Sequence, residues 1–295
     1  MTNSGRAIQR VAYIGTPEIA AVPLSELVEA GYEVPLVITG KDKRRGRGSS
    51  TSPSPVKREA ERLGLNISTD IEDLKSIDVD LAIVVAFGKL IPKDVLDHVP
   101  IINLHFSLLP RWRGAAPLER AILAGDTKTG VCIMAVEETL DTGGIYSSIE
   151  IPIGSHETLK DLQTKCITEG TALLLQSLKE GLGVPVQQTG EPSYAHKLTN
   201  AELEIDWGLS SEEILRSIRI GRAWTTVSGS RLRIHEAKIG TSVNLRIGER
   251  EGPLVGAGEG AIELLEVQPE GRKQMPVKDW INGLPVNAGG YFGHE

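Results

Sequence analysis

The stretch Leu81-Ala82-Ile83-Val84-Val85-Ala86 is apolar at every position. A strand with one wet face alternates apolar and polar residues. An unbroken run therefore predicts a strand covered on both faces, as in parallel sheets. Working outward, Val11-Ala12-Tyr13-Ile14, Val34 to Thr39, Ile101 to His105 and Val131 to Val136 read as further strands. Helical periodicity fills the intervals, over about 54–64, 93–98, 115–124 and 157–180. An earlier helix has Ile19, Val22, Leu24, Leu27 and Val28 as its apolar face and stops at Gly31. Alternation of this kind predicts an α/β domain on a parallel sheet with right-handed crossovers.

The pattern changes after about residue 184. Pro185, Gly190 and Pro192 punctuate a polar segment, read as a linker. One helix follows at about 211–220, and then short β-rich runs at 227–234, 244–247 and 261–267. Several short strands with turn signals predict a small β-barrel or sandwich. The division expected is a first domain over 1–188, a linker over 189–203 and a second domain over 204–295.

The chain has 295 residues, 40% hydrophobic and 24% charged, an ordinary globular composition for two domains. No stretch approaches the roughly 20 apolar residues of a transmembrane helix, and the N-terminus does not read as a signal peptide. Cys132 and Cys166 are too few for a disulfide framework and lack metal-ligand spacing, so both are expected to be reduced thiols in a cytoplasmic protein. Net charge is −7, with 21 Lys and Arg against 25 Asp and Glu before residue 200 and 11 against 14 after it. Neither half is basic, which argues against a general nucleic-acid binder and confines any such contact to local patches.

One such patch is Lys41-Asp42-Lys43-Arg44-Arg45-Gly46-Arg47, with five basic residues in seven. It reads either as a solvated loop or as a phosphate-gripping one, since it follows a strand at the end where open α/β sheets bind ligands. Gly15-Thr16-Pro17 is likewise open between a strand-to-helix turn and the wall of a cleft; it lacks the glycine and lysine spacing of a nucleotide loop.

The segment from Ile101 to Pro117 carries the chemistry. Asn103 and His105 are two apart on a strand and so point to one face. An amide donor beside a titratable imidazole suits a reaction that develops an oxyanion and moves a proton. Asp141, in the loop Val136 to Gly144, is either a turn residue or a carboxylate that orients His105.

The string Asn103-Leu-His105-Phe-Ser-Leu-Leu-Pro-Arg-Trp-Arg-Gly-Ala-Ala-Pro117, with Leu140-Asp141-Thr-Gly after it, resembles the folate-dependent formyltransferases, and within them the branch acting on methionyl-tRNA. The resemblance continues at Gly15-Thr16-Pro17-Glu18, Gly46-Arg47-Gly48, Ser54-Pro55-Val56-Lys57, Gly125-Asp126, Tyr194-Ala195-x-Lys197-Leu198 and Ile205-Asp206-Trp207. It implies an N-terminal Rossmann-like parallel-sheet catalytic domain and a C-terminal OB-like β-barrel. It implies Asn103, His105 and Asp141 as the catalytic trio, and Ser107, Leu108, Leu109 and Pro110 as the folate-binding stretch. Lys41, Lys43, Arg44, Arg45 and Arg47 would contact tRNA. The implied donor is 10-formyltetrahydrofolate and the implied acceptor initiator methionyl-tRNA, with no metal and a monomeric enzyme. Rival readings are an amino-sugar formyltransferase, a formyltetrahydrofolate hydrolase, or a folate- or RNA-binding protein without catalysis. A last expectation concerns Arg216, Arg219, Arg222, Arg231 and Arg233, which together could present a basic face despite the acidic balance of the second half.

Overall fold

The computed structural model describes residues 8–44, 51–241, 244–284 and 290–293. The chain divides into two compact units. One lies mainly before residue 197; the other follows it and also includes residues 118–127 and 153–162.

The first unit is built on seven strands: β1 (Val11–Gly15), β2 (Val37–Ile38), β3 (Ile67–Ser68), β4 (Leu81–Val85), β5 (Ile101–His105), β6 (Lys128–Ala135) and β7 (Ile145–Pro152). Their order across the sheet is β7-β6-β5-β4-β1-β2-β3. The five from β3 to β5 run parallel. β6 and β7 extend the β5 edge antiparallel. β1 and β4 are buried at every position, as an unbroken apolar strand must be. Ala12, Ile14, Ile38, Ala82 and Val84 share one core cluster with Leu74, Val95 and Val99.

Strand order reverses between β1 and β4, because the chain runs outward through β2 and β3 before returning to β4. In open sheets such a switch point opens a crevice at the carboxyl ends of the strands. β1 ends there at Gly15, where a Cβ would lie 2.8 Å from the Ala20 Cβ and 3.0 Å from the Val85 carbonyl oxygen. Pro17 then opens a single helical turn, Glu18–Ala20, which leads into α1 (Ala21–Glu29). Of the expected apolar face of this helix, Leu24 and Leu27 are buried while Val22 is 44% exposed, and Pro23 is buried as well.

Ser54-Pro55-Val56-Lys57 starts α2 (Pro55–Arg62). The Ser54 hydroxyl accepts from the Lys57 amide at 3.0 Å, and Pro55 sits where its missing N–H costs nothing. The same hydroxyl lies 2.7 Å from Thr39 Oγ1, at the end of β2. Lys57 Nζ donates to both oxygens of Asp42 at 3.0 and 2.8 Å, and this pairing raises the ammonium pKa. The start of the basic segment is thereby tied to α2. Further along, α3 (Pro117–Ala124) and α4 (Leu159–Glu180) form close to the expected ranges.

The second unit is a curled antiparallel sheet of β8 (Trp224–Val227), β9 (Ser230–Ile239), β10 (Arg250–Glu251), β11 (Leu254–Gly256), β12 (Ala261–Pro269) and β13 (Met275–Pro276), with α5 (Ser211–Arg219) and α6 (Val277–Asn282). Register shifts at Glu236 bend β9. Ile214 and Ile218 of α5 pack with Ile234, Ile262, Leu264 and Trp280. Ser210 and Glu213 close a capping box on α5. The run at 244–247, expected as a strand, is irregular, and the short β10 forms after it.

Candidate active site

Asn103 and His105 stand at the carboxyl end of β5, between parallel β4 and antiparallel β6. Asn103 faces Val84 and Met134, and His105 faces Cys132. The Asn103 side chain is half-buried, and no side-chain hydrogen bond engages its amide among the described residues. His105 is 5% exposed, and its Nε2 lies 3.0 Å from the Trp112 carbonyl oxygen. That oxygen can only accept, so Nε2 carries the proton and Nδ1 is left able to take one. Nδ1 is 3.7 Å from Asp141 Oδ2, an ion-pair separation once the ring is charged. The structure thus brings Asn103, His105 and Asp141 together.

Asp141 is a turn residue whose carboxylate is also engaged. Its φ is 52°, in the left-handed region that Asp tolerates better than most side chains. Its Oδ2 accepts from the Gly114 amide at 2.7 Å, so this oxygen is anchored to backbone before any ligand binds. Two residues on, Gly143 is required: a Cβ there would lie 2.0 Å from the Ala135 carbonyl oxygen. Glu137 and Glu138 are exposed.

The stretch Ser107 to Pro110 forms the turn after β5. Ser107 is fully buried and its hydroxyl donates to the Arg111 carbonyl at 2.6 Å, which closes the turn. Leu109 packs with Cys132, Met134 and Ile145, while Leu108 and Pro110 remain half-exposed. Burial pushes the Cys132 thiol up to about 11, partly offset by a hydrogen bond with the Leu109 backbone, so it is no nucleophile here. Trp112 has φ 64° and stacks under the Arg111 guanidinium at 4.4 Å.

Residues of the expected linker close this loop. The Ser193 hydroxyl accepts from the Trp112 amide at 2.9 Å, and the Ala195 carbonyl accepts from the Ala115 and Ala116 amides at 2.9 and 3.0 Å. Tyr194–Ala195 pair in parallel with Arg113–Gly114. Gln188 donates to the carbonyls of Asp141 and Gly143 at 2.9 and 2.8 Å and accepts from Arg113 at 3.1 and 2.6 Å. Nothing in the sequence singled out Gln188 or Ser193, because both lie in a polar, proline-broken stretch with no periodicity.

Of the basic run, Lys41 is exposed, Lys43–Arg44 pair with Thr51–Ser52 as a short antiparallel ribbon, and Arg45 and Arg47 lie outside the described residues. Of Arg216, Arg219, Arg222, Arg231 and Arg233, three are half-buried and engaged by the protein itself, Arg233 by donating to the Gly221 carbonyl. Arg219 donates to the carbonyls of Glu157 and Gly154 at 2.7 and 2.8 Å, and the Arg216 guanidinium is packed on Gly125. Arg231 stacks on Trp224 at 4.1 Å, Arg222 lies 3.9 Å from Glu119, and burial, then the nearby charges of Arg222 and Arg231, lower the Arg233 pKa.

The family described as formyl transferase matches residues 9–178, and its C-terminal domain matches residues 197–285. The chain belongs to the formyltransferase family. A methionyl-tRNA formyltransferase of Thermus thermophilus is 40% identical to this formyltransferase over 304 residues, covering 96% of the chain and 99% of the relative. That of Symbiobacterium thermophilum is 38% identical over 311 residues, covering 96% and 95%. Among solved structures, WlaRD, a sugar 3N-formyl transferase, superposes with a TM-score of 0.69 at 19% identity, over 91% of this chain and all 100% of that one. HypX from Aquifex aeolicus, in complex with tetrahydrofolic acid, gives 0.66 at 16% identity, over 94% of this chain and 47% of that one. At these identities the structural likeness is one of fold.

Proposed function

We propose that this enzyme transfers the formyl group of 10-formyltetrahydrofolate to the α-amine of methionyl-tRNA, with Asn103, His105 and Asp141 as its catalytic groups. The reaction joins the amine nitrogen to the formyl carbon and breaks that carbon's bond to the folate nitrogen. Asn103 donates its amide to the formyl oxygen as negative charge develops there. His105 relays the proton from the attacking amine to the departing nitrogen, and Asp141 holds the ring and balances its charge while the proton is on it. No residue is acylated. The donor set fits a neutral acyl donor on a flat heterocycle: one unengaged amide, one imidazole, one carboxylate and the half-exposed apolar atoms of Leu108 and Pro110, on a turn that Ser107 and Leu109 fix from inside.

The observation that carries the reading is the unengaged Asn103 amide beside a histidine already set between Trp112 and Asp141. The acceptor reading rests on the nearly full-length similarity to methionyl-tRNA formyltransferases, and on the basic run Lys41, Lys43, Arg44, Arg45 and Arg47, for which an amino-sugar acceptor has no use. In this reading the run grips acceptor phosphates, Arg222 and Arg231 offer a second phosphate contact, and initiator tRNA is the form preferred. The two buried free cysteines suit a reducing cytoplasm, and no helix of the described residues is long and apolar enough to cross a membrane. The enzyme is read as a monomer, with residues 1–188 as its catalytic part, 189–203 as a connection and 204–295 as the tRNA-facing part. Formyl transfer from 10-formyltetrahydrofolate to charged initiator tRNA, with elongator methionyl-tRNA alongside, tests the reading. Transfer to the initiator is expected; formate release or formylation of an amino sugar instead would overturn it.

A further inference from the structure

We infer that Gln188 is a positioning residue for this reaction, the brace that sets Asp141 against His105. This rests on the roles proposed for Asp141 and His105. The amide nitrogen of Gln188 has two N–H groups, and both are used, on the carbonyls of Asp141 and Gly143. Its oxygen faces the guanidinium of Arg113, which donates from Nε and Nη2. The flipped amide would turn its oxygen to two carbonyls and its NH2 to a cation, so only one orientation is possible. Gly114, next to Arg113, donates its own amide to Asp141 Oδ2. A closed ring results. Gln188 holds the backbone of Asp141, Gly114 holds its carboxylate, and Arg113 couples the two.

Asp141 gains from such a brace because it sits at φ 52°, in the left-handed region, which Asp tolerates better than most side chains but which remains less favourable than negative φ. Without the two carbonyl contacts the loop is free to relax toward negative φ, which swings the carboxylate away from Nδ1. Gly114 alone does not prevent this, since its bond fixes one oxygen and not the peptide. The brace acts on the reacting groups only through Asp141, so it belongs to the transition state and not to substrate binding.

Gln188→Glu separates the two halves of the brace. It keeps an acceptor for Arg113 but sets an oxygen against the two carbonyls; Gln188→Ala removes both halves. In steady-state formylation of methionyl-tRNA, Gln188→Glu is expected to lower kcat about 10- to 100-fold, since small misplacements cost on that order. KM for the donor and for tRNA stays within about threefold, as expected when only the transition state is affected. Added to Asp141→Asn, the same change costs less than about twofold in the residual single-turnover rate, because it acts through the missing carboxylate. The inference fails if kcat of both Gln188 variants stays within twofold of wild type, if KM rises instead, or if the losses multiply in the double variant. Loss of the fold in both variants would make Gln188 a purely structural residue and equally overturn it. Absence of formylation by the wild-type enzyme would sink the proposed reaction itself, a result distinct from any of these.

Discussion

Replacing Asn103 by Ala removes the amide proposed to meet the developing charge, and the structure sets what that change does and does not disturb. The backbone of Asn103 is paired on both sides, to Val84 on β4 and Met134 on β6, so the strand survives truncation. The side chain is half-buried and no side-chain hydrogen bond engages its amide among the described residues, so no folded-state partner is orphaned. Stability should change by less than about 1 kcal/mol, as for substitutions that leave no polar group unpaired. The loss falls on the transition state, where one oxyanion donor is worth about 2.7–4 kcal/mol, or about 100- to 1,000-fold in kcat. Asn103→Asp keeps the shape, replaces the donor by an acceptor and should lose at least as much. Single-turnover formylation at saturating donor reads the chemical step directly, and thermal melting reads the fold. A kcat loss under about tenfold, or about 1.4 kcal/mol, with the fold intact, would refute the role. So would a loss that appears wholly in KM.

Gly143→Ala places a Cβ 2.0 Å from the Ala135 carbonyl oxygen, so the loop must shift. Overpacking of this kind costs about 1–3 kcal/mol, and kcat should fall at least tenfold as Asp141 moves; an unchanged Tm and rate would show that the loop relaxes freely. Arg219→Ala strands two backbone carbonyls and should lower stability by about 1–3 kcal/mol, while Arg231→Ala should leave Tm alone, weaken tRNA binding and reduce its salt slope by about one. The reverse pattern would reassign both. Glu202 is held down to about 2, first by Arg120 and then by Thr199. Its folded pKa lies below the ordinary 4.5, so its contribution is whole above pH 4.5 and is lost as pH falls toward about 2. Glu202→Gln should flatten acid unfolding over that window; an identical acid limb would mean that the pair contributes nothing.

The sequence alone determined a good deal. The unbroken apolar run at 81–86 marked a buried parallel strand, because burial on two faces leaves no place for a polar residue. The change of periodicity after 184 marked a second unit of short strands. Period-two spacing put Asn103 and His105 on one face, and the resemblance named Asp141 with them. Local pattern carries this much because strand alternation and helix periodicity are properties of a few neighbouring residues. β7 was missed for the same reason: Ile145, Ile149 and Ile151 are its only aliphatic residues, and its edge position leaves most of the others partly or fully exposed.

Tertiary structure decided the rest. Only the fold shows that Asp141 Oδ2 is already taken by Gly114, that His105 Nε2 is spent on Trp112, and that Arg216 and Arg219 serve backbone and packing in place of an exposed basic face. Only the fold brings Gln188 beside residues 75 and 47 positions away in the chain. A hydrogen bond forms between groups that meet in space, and across so many residues no periodicity records the meeting. The residue types that the proposed chemistry uses were therefore legible in the sequence. Their preorganisation was not, because that lies in contacts between loops whose sequences carry no trace of one another.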